Sequence, residues 1–258
     1  PTWSFHFREL VKALSPTHRC LVPDHIGMGL SDRPDDTRYC YTLKSRVDDL
    51  ESFMARIAPQ GPVTMILHDW GGMIGMSWAV RRPERIKAIV ALNTSCFKLP
   101  PEKRFPGMLK VLRGAWSGLP IRLSRLARRS VLATCTARTR LAPAAAEGYL
   151  SVCDGWRESR AVHRFVQDIP RRPGDPAWSV VAETEGKLGL FKDTPMLLPW
   201  GLKDRVFDEA FLQGWATRFP RAEVRRFPDC GHFLLEDAPE EVVPLIRDFV
   251  ERPAAAGP

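Results

Sequence analysis

The chain has 258 residues, is 44% hydrophobic and 26% charged, and carries a formal net charge of +8. This is an ordinary globular balance, enough for one large domain or for a core with a lid. No apolar run in these residues reaches the ~20 residues of a membrane span, and we expect no signal peptide. The six cysteines are scattered without CxxC pairs, so a reducing cytoplasm is expected rather than a disulfide framework.

The positive charge is concentrated in one part of the chain. Between Lys98 and Ala146 there are eleven Lys and Arg residues and a single acidic residue, Glu102, so this segment alone carries +10. The rest of the chain is slightly acidic. The charge therefore indicates a local basic surface and not a generally basic protein.

Hydrophobic periodicity predicts an alternation of helices and strands. In chain order we predict a helix in PTWSFHFRELVKAL, a strand in RCLVPD ending at Asp24, a helix in TLKSRVDDLESFMARIA, a strand in VTMILHD, a helix in MIGMSWAVRR ended by Pro83, and a strand in IKAIVALN. After an interruption come a strand in TPMLLPWG, a helix in DEAFLQGWATRF, a strand in AEVRRFPD and a helix in EEVVPLIRDFV, which Pro244 must start or kink. The βαβα order predicts a mostly parallel sheet flanked by helices, with sites at the carboxyl ends of its strands.

The alternation also predicts how the chain is divided. We expect an α/β core in residues 1–94 and 186–251, an inserted helical cap in residues 95–185, and a disordered tail in residues 252–258. No strand precedes the first helix and the chain does not begin with Met, so we expect early strands of the sheet to be missing.

The stretch VTMILHDWGGMIG places Asp69 at the bend between a predicted strand and a predicted helix, just before two glycines. This pattern is typical of a nucleophile elbow, with Asp in place of Ser and Leu67 in place of the first glycine of G-x-S-x-G. A carboxylate that attacks a saturated carbon leaves an ester that water can cleave, whereas serine would leave an ether. Asp69 therefore favours displacement at an sp3 carbon or opening of a strained ring. A helix-capping role is the alternative.

Two further residues complete a candidate triad in the chain order nucleophile, acid, histidine. His232 lies in a loop after the last predicted strand, and Asp204 follows the strand before it. The acid would orient and polarise the imidazole. Asp208 is an alternative acid but is better placed to cap the following helix, and Asn93 at the end of another strand carries no charge. His232 could instead be a loop histidine bonded to the backbone.

The remaining polar residues near these motifs have simpler interpretations. We expect His68 to be a packed, hydrogen-bonded structural histidine. Asp24, His25, Gly27 and Gly29 are expected to shape a loop. No metal site and no cofactor is predicted.

Several motifs together resemble one known enzyme group. PTWSF, VPDHIGMGLSDRP, LHDWGGMIGMSWAVRRPERI, WGLKDRVF and GHFLLEDAPEE resemble the haloalkane dehalogenase group of the α/β-hydrolase superfamily. The cap stretch CDGWRESRAVHRFVQDIPRRP is similar to the β-lactone decarboxylases of bacterial long-chain olefin biosynthesis, which share that fold. In the family HGN stands directly before PTW and contributes to the oxyanion or halide site, so we expect this chain to be a fragment of a longer protein that lacks part of the catalytic site.

The resemblance implies an α/β-hydrolase fold and removal of CO2 from a cis-dialkyl β-lactone to give an internal alkene. It implies that Asp69 attacks the lactone, that His232 with Asp204 handles water and protons, and that Trp70 lines the pocket. Whether the carbonyl carbon or the ring β-carbon is attacked stays open.

Other activities of this group were compared with the residues present. A haloalkane dehalogenase needs N–H donors for the leaving halide, which Trp70 and a cap tryptophan (Trp116, Trp156 or Trp178) would supply. An epoxide hydrolase would need two cap tyrosines, but Tyr149 is the only tyrosine in the cap. A non-catalytic binding module is disfavoured because the triad positions are intact.

The basic segment GLPIRLSRLARRSVLATCTARTRL suggests a function of another class. It interleaves Leu, Ile and Val with Arg and could contact an anionic membrane surface or partner enzymes that hand over a hydrophobic substrate. The simpler alternative is an amphipathic helix with its leucines on the core. Nucleic-acid binding is not expected, because interleaved aromatic residues are lacking.

Overall fold

A computed structural model describes residues 2–105, 107, 110, 113, 132–152 and 156–252. Within them the strands are β1 (Val63–Asp69), β2 (Ile86–Thr94), β3 (Met196–Gly201) and β4 (Glu223–Phe227). The helices are α1 (Arg8–Leu14), α2 (Leu43–Ile57), α3 (Trp70–Ala79), α4 (Pro143–Ser151), α5 (Trp156–Gln167), α6 (Trp178–Gly186), α7 (Glu209–Arg218), α8 (Leu234–Asp237) and α9 (Pro239–Glu251). Short 3-10 turns cover Ser4–Phe7, Pro83–Arg85 and Leu188–Phe191.

The strands form one parallel sheet in the order β1-β2-β3-β4. Met65 pairs with Ile89, Ile89 with Met196, and Leu198 with Val224. Because all strands run the same way, their carboxyl ends lie at one edge of the sheet. The prediction of a parallel α/β sheet is confirmed.

Both faces of the sheet are covered by helices. Along β2 the side chains alternate: Ile89 and Ala91 belong to one buried cluster, and Val90 and Leu92 to another. The first cluster packs the sheet against α2, α3, α6 and α7, and the second packs it against α1, α8 and α9. This alternation is the expected result of the two-residue period of a strand buried on both sides.

The predicted strand RCLVPD is not formed. Residues 19–25 belong to no helix and no strand of the described residues. They line a cavity of about 800 Å³ whose other side is β1 and α2. A strand exists only where a neighbour lies within hydrogen-bonding distance, and none of the four strands of the described sheet pairs with this segment.

Two predicted helices differ in their limits. The first begins as a 3-10 turn over Ser4–Phe7 and becomes α-helical only at Arg8. The last begins at Pro239, where proline is well tolerated, and Pro244 lies inside it. Of the two predicted roles of Pro244, starting or kinking the helix, the structure excludes the first, and the second stays a prediction.

The described part of residues 95–185 contains helices and no strand. This agrees with an insertion that interrupts the strand–helix alternation, although the domain limits themselves stay a prediction. Much of the basic segment 118–141 and the tail residues 253–258 lie outside the described residues. No helix in the described ranges combines the length and apolarity needed to cross a bilayer.

Candidate active site

Asp69 lies at the carboxyl end of β1, immediately before the first residue of α3. Its backbone has φ 51° and ψ −124°, a conformation that costs a non-glycine residue about 1–3 kcal/mol. The Thr94 hydroxyl donates a hydrogen bond to the Asp69 carbonyl and accepts one from the Gly72 N–H at 3.1 Å. The end of β2 thus holds the strained turn in place, and the amino end of α3 stabilises negative charge beside it.

The glycines after the turn differ in what they allow. A Cβ at Gly72 would lie 2.0 Å from the Thr94 hydroxyl oxygen, and a Cβ at Gly75 would lie 2.5 Å from the Leu67 side chain. A Cβ at Gly71 would meet nothing within 4 Å. The elbow tolerates Leu67 in place of the usual glycine because Gly75, which has no side chain and lies one turn after Gly71 in α3, leaves room for the leucine side chain.

The structure brings His232 and Asp204 together with Asp69. His232 Nδ1 donates to Asp204 Oδ2 at 2.7 Å, and His232 Nε2 lies 3.9 Å from Asp69 Oδ1. Asp204 Oδ1 accepts a further hydrogen bond from the Val206 N–H at 2.7 Å. The loops after β3 and β4 approach so closely that a Cβ at Gly201 would lie 2.3 Å from the Gly231 carbonyl oxygen. This close contact places His232 within hydrogen-bonding distance of Asp204.

The charges of these three groups stabilise one another. Burial lowers the pKa of His232, but the carboxylates of Asp204 and Asp69 outweigh burial and the net pKa is raised. Burial raises the pKa of Asp204, but His232 and backbone N–H donors outweigh it, so the net pKa is lowered. Burial likewise opposes ionisation of Asp69, and the positive charges of His232 and His68 act in the opposite direction, toward a lower pKa. The arrangement favours an imidazolium between two carboxylates.

His68 is a buried structural histidine, as predicted. Its Nε2 lies 2.9 Å from the His232 carbonyl oxygen, to which it donates, and burial lowers its pKa to about 3. Its ring stacks on His6 at 4.4 Å, and His6 Nδ1 lies 2.8 Å from the Tyr149 hydroxyl. Tyr149 also donates to Glu236 at 2.6 Å. Since this hydroxyl is engaged on both sides, it is not available as an epoxide-protonating acid.

The predicted pocket residues have different outcomes. Trp70 is the first residue of α3, and its ring centroid lies 5.2 Å from that of Phe165 in α5. The same cavity is lined by Asp69, Trp70 and Phe165. Trp156 begins α5, but its side chain lies outside the described residues. Its predicted contact with a leaving group or oxyanion therefore stays a prediction.

Asp208, the alternative acid of the triad, and Asp24 make other hydrogen bonds that account for their positions. The Asp208 carboxylate caps α7 by accepting from the Ala210 N–H at 3.2 Å, as predicted, and pairs with Lys103. Asp24 accepts from the backbone N–H groups of Ser4 and Leu30 and so shapes its loop, as predicted.

Sequence reasoning missed two residues that fix the triad loops. Asn93 bonds the backbone of Gly201 through both atoms of its amide, at 2.9 Å each, and so joins the ends of β2 and β3. The Asp237 carboxylate is buried and accepts from the N–H groups of Gly231 and of residues 137–139 at 2.6–3.0 Å. Asp237 thereby holds the His232 loop against the inserted segment. The signal for Asn93 was a polar residue at the end of the apolar run IVAL, and the sequence around Asp237 carries no comparable signal.

No group of three or more His, Cys, Asp or Glu side chains suited to a metal ion occurs in the part of the chain that is described. The five described cysteines are free thiols.

Comparison with known proteins places this geometry in context. The family described as alpha/beta hydrolase fold matches residues 1–239. A cis-3-alkyl-4-alkyloxetan-2-one decarboxylase of Shewanella oneidensis is 44% identical over 251 residues, which are 97% of this chain and 79% of that protein. The protein of the same name from Xanthomonas campestris pv. campestris is 43% identical, over 98% of this chain and 86% of that protein.

More distant similarity extends to dehalogenases. Haloalkane dehalogenase 2 of Mycobacterium bovis is 29% identical over 95% of this chain and 83% of that protein. The crystal structure of the haloalkane dehalogenase DatA from Agrobacterium tumefaciens C58 superposes with a TM-score of 0.83 at 23% identity, covering 97% of this chain and 86% of that chain. At that identity the superposition shows the shared fold alone.

Proposed function

Since the chain belongs to the alpha/beta hydrolase fold family and has oxetanone decarboxylases among its relatives, we propose that it removes CO2 from a cis-3,4-dialkyl oxetan-2-one, a β-lactone. The observation that carries the proposal is the position of Asp69 at a strained strand–helix turn, 3.9 Å from an imidazole that is bonded to a buried carboxylate. A carboxylate nucleophile is suited to opening a strained ring at a saturated carbon.

The reaction can be written with every atom accounted for. Asp69 attacks the saturated ring carbon C4 from the side opposite the ring oxygen; the C4–O bond breaks, and its electron pair stays on the substrate's carboxylate. The bond from C3 to that carboxylate then breaks, its electrons form the C3=C4 double bond, and the Asp69 carboxylate leaves as CO2 departs. Inversion followed by anti elimination converts the cis lactone into the cis alkene. Water and external protons are not consumed.

This balance assigns a charge-stabilising role to the histidine. Because no water enters, His232 acts as an imidazolium that stabilises the carboxylate released from the ring, and Asp204 keeps it protonated and oriented. The raised pKa of His232 supports this assignment. If a water were activated instead, it would hydrolyse the Asp69 ester and the product would be a β-hydroxy acid.

A product analysis tests the proposal. The protein is incubated separately with a cis-dialkyl oxetanone, a 1-bromoalkane and a terminal epoxide in H2¹⁸O, and products are identified by mass spectrometry. We expect cis alkene and CO2 from the oxetanone and no ¹⁸O in Asp69. A β-hydroxy acid with ¹⁸O in Asp69 would show a hydrolase, and turnover confined to the bromoalkane would show a dehalogenase.

The remaining assignments are proposals about the setting of this reaction. The substrate is a hydrophobic small molecule, and we place the protein in the cytoplasm. The basic segment 118–141 would contact partner enzymes of a hydrocarbon pathway or an anionic membrane surface, and its interleaved Leu and Arg residues support this. We propose no cofactor and no nucleic-acid partner.

A further inference from the structure

Arg46 in the first turns of α2 is a buried charge without a hydrogen-bonding partner among the described residues. The residue is 0% exposed, and its Nε, Nη1 and Nη2 atoms are all buried and unbonded. Leaving a buried charged group without hydrogen bonds is unfavourable by several kcal/mol. The nearby side chains of Tyr39 and Asp168 favour the charged form, but burial outweighs them and lowers the pKa of Arg46.

Arg46 instead makes its contact with an aromatic face. Its guanidinium carbon lies 3.7 Å from the ring centroid of Phe165 in α5. A cation over an aromatic ring is most strongly attracted when both are removed from water. A second contact links the two helices, since the Leu43 N–H at the start of α2 donates a hydrogen bond to Asp168 at 2.5 Å. The carboxyl end of α5 is thus fixed to the amino end of α2.

Phe165 connects Arg46 with the candidate site. Its ring centroid lies 5.2 Å from Trp70 and 6.4 Å from His25. All three aromatic residues line the cavity that reaches Asp69. Phe165 therefore forms part of the cavity wall near Asp69, and the Arg46 guanidinium packs on the Phe165 ring.

We propose that Arg46 is a positioning residue which, by holding Phe165 against Trp70, limits the size of the substrate's alkyl substituent on this side of Asp69. The proposal deepens the proposed function and rests on it for the identity of the substrate. It predicts that Arg46 has no effect on selectivity once the phenyl ring is gone.

A double-mutant cycle tests the proposal. The variants are Arg46→Ala, Phe165→Ala and the double variant, and the measurement is the ratio of kcat/KM for a long-chain to a short-chain cis-dialkyl oxetanone. Either single change opens space beside Trp70, so each should raise the ratio by at least about tenfold, the lower end of the effect of one methylene in an apolar pocket. The double variant should show the same increase as Phe165→Ala alone.

Two further variants separate this role from general packing. Arg46→Lys keeps the charge but loses the flat guanidinium, and it should restore part of the native ratio. Arg218→Ala removes another Arg-over-Phe contact, 4.2 Å from Phe97, and should leave the ratio unchanged. Unchanged ratios in the Arg46 variants, or increases that multiply in the double variant, would overturn the proposal.

A structural readout makes the outcome independent of turnover. In a crystal structure of Arg46→Ala we expect the Phe165 ring to have moved away from Trp70 into the space vacated by the guanidinium. If the native protein converts no oxetanone, the proposed function is wrong, and this structure still decides the role of Arg46. A Phe165 ring unmoved from its native position would refute that role.

Discussion

The Nε2 atom of His232 lies 3.9 Å from Oδ1 of Asp69. This exceeds the length of a hydrogen bond, yet it is short enough for the two charges to stabilise each other inside a buried site. Asp69 can therefore move toward a substrate carbon without breaking a hydrogen bond to His232. The other side of the imidazole is held at 2.7 Å by Asp204.

Replacing the acid should remove most of the activity. In Asp204→Asn the amide no longer favours the imidazole tautomer that carries its proton on Nδ1 of His232. The imidazolium also loses its buried countercharge. We expect kcat to fall by about 10⁴-fold, the effect of the same change in other triads. Steady-state kinetics of oxetanone turnover measure it.

Asp208→Asn is the matched control for that change. Asp208 caps α7 and does not contact His232, so activity should be retained and the free energy of unfolding should fall by about 1 kcal/mol or less. Equal losses of activity in the two variants would show that Asp204 has no special role.

The pH dependence of turnover reports the state of His232. Asp204 and Asp69 raise its pKa above the ordinary 6.5, and the proposed mechanism uses the protonated form. Activity should therefore be full near neutral pH and should decline as pH rises through the raised pKa. In Asp204→Asn this decline should move to lower pH. Activity that increases with pH through this range would instead indicate a neutral histidine acting as a base.

Neutral histidines inside the protein should make folding sensitive to acid. Burial lowers the pKa of the half-buried His25 to about 4 and that of the buried His68 to about 3, both below the unfolded value of 6.5. Between these values the unfolded chain binds more protons, so stability is present above pH 6.5 and is lost as pH falls, by about 1.4 kcal/mol per pH unit for each histidine. Urea unfolding at pH 7, 6 and 5 should show this slope, and His68→Gln should reduce it. A slope that is the same in both proteins would contradict the assignment.

The turn at Asp69 should depend on the Thr94 hydroxyl. Thr94→Val preserves the shape of the side chain but leaves the buried Gly72 N–H and the Asp69 carbonyl without that partner. We expect a loss of about 1–3 kcal/mol in the free energy of unfolding and a lower kcat. Thr37→Val, which removes an exposed bond to Asp35, is the control and should change stability by less than about 0.5 kcal/mol.

The anchor of the histidine loop can be tested in the same way. Asp237→Asn replaces a carboxylate oxygen with an amide N–H that faces backbone donors, so at least one of the bonds from Gly231 and residues 137–139 is lost. We expect destabilisation of about 1.5–3 kcal/mol and a larger fractional loss in kcat than in substrate affinity. Native thermal stability in this variant would show that the anchor is unimportant.

The sequence was sufficient where local patterns decide structure. The apolar run before Asp69 predicted β1 with its observed limits, and the order of Asp69, Asp204 and His232 predicted which side chains meet. The sequence was not sufficient where contacts with residues distant in the chain decide the structure. Residues 19–24 have the composition of a strand but lie across a cavity from β1, and periodicity cannot show whether a partner is present. Asn93 and Asp237 were missed because their partners are backbone groups distant in sequence.

The most direct test of the central claim is the product formed from a cis-dialkyl oxetanone by the native protein and by Asp69→Asn. The native protein should release cis alkene and CO2 in equal amounts, whereas Asp69→Asn should leave the lactone intact while retaining its folded structure by circular dichroism. Alkene formation by Asp69→Asn at the native rate would contradict the assignment of Asp69 as the nucleophile.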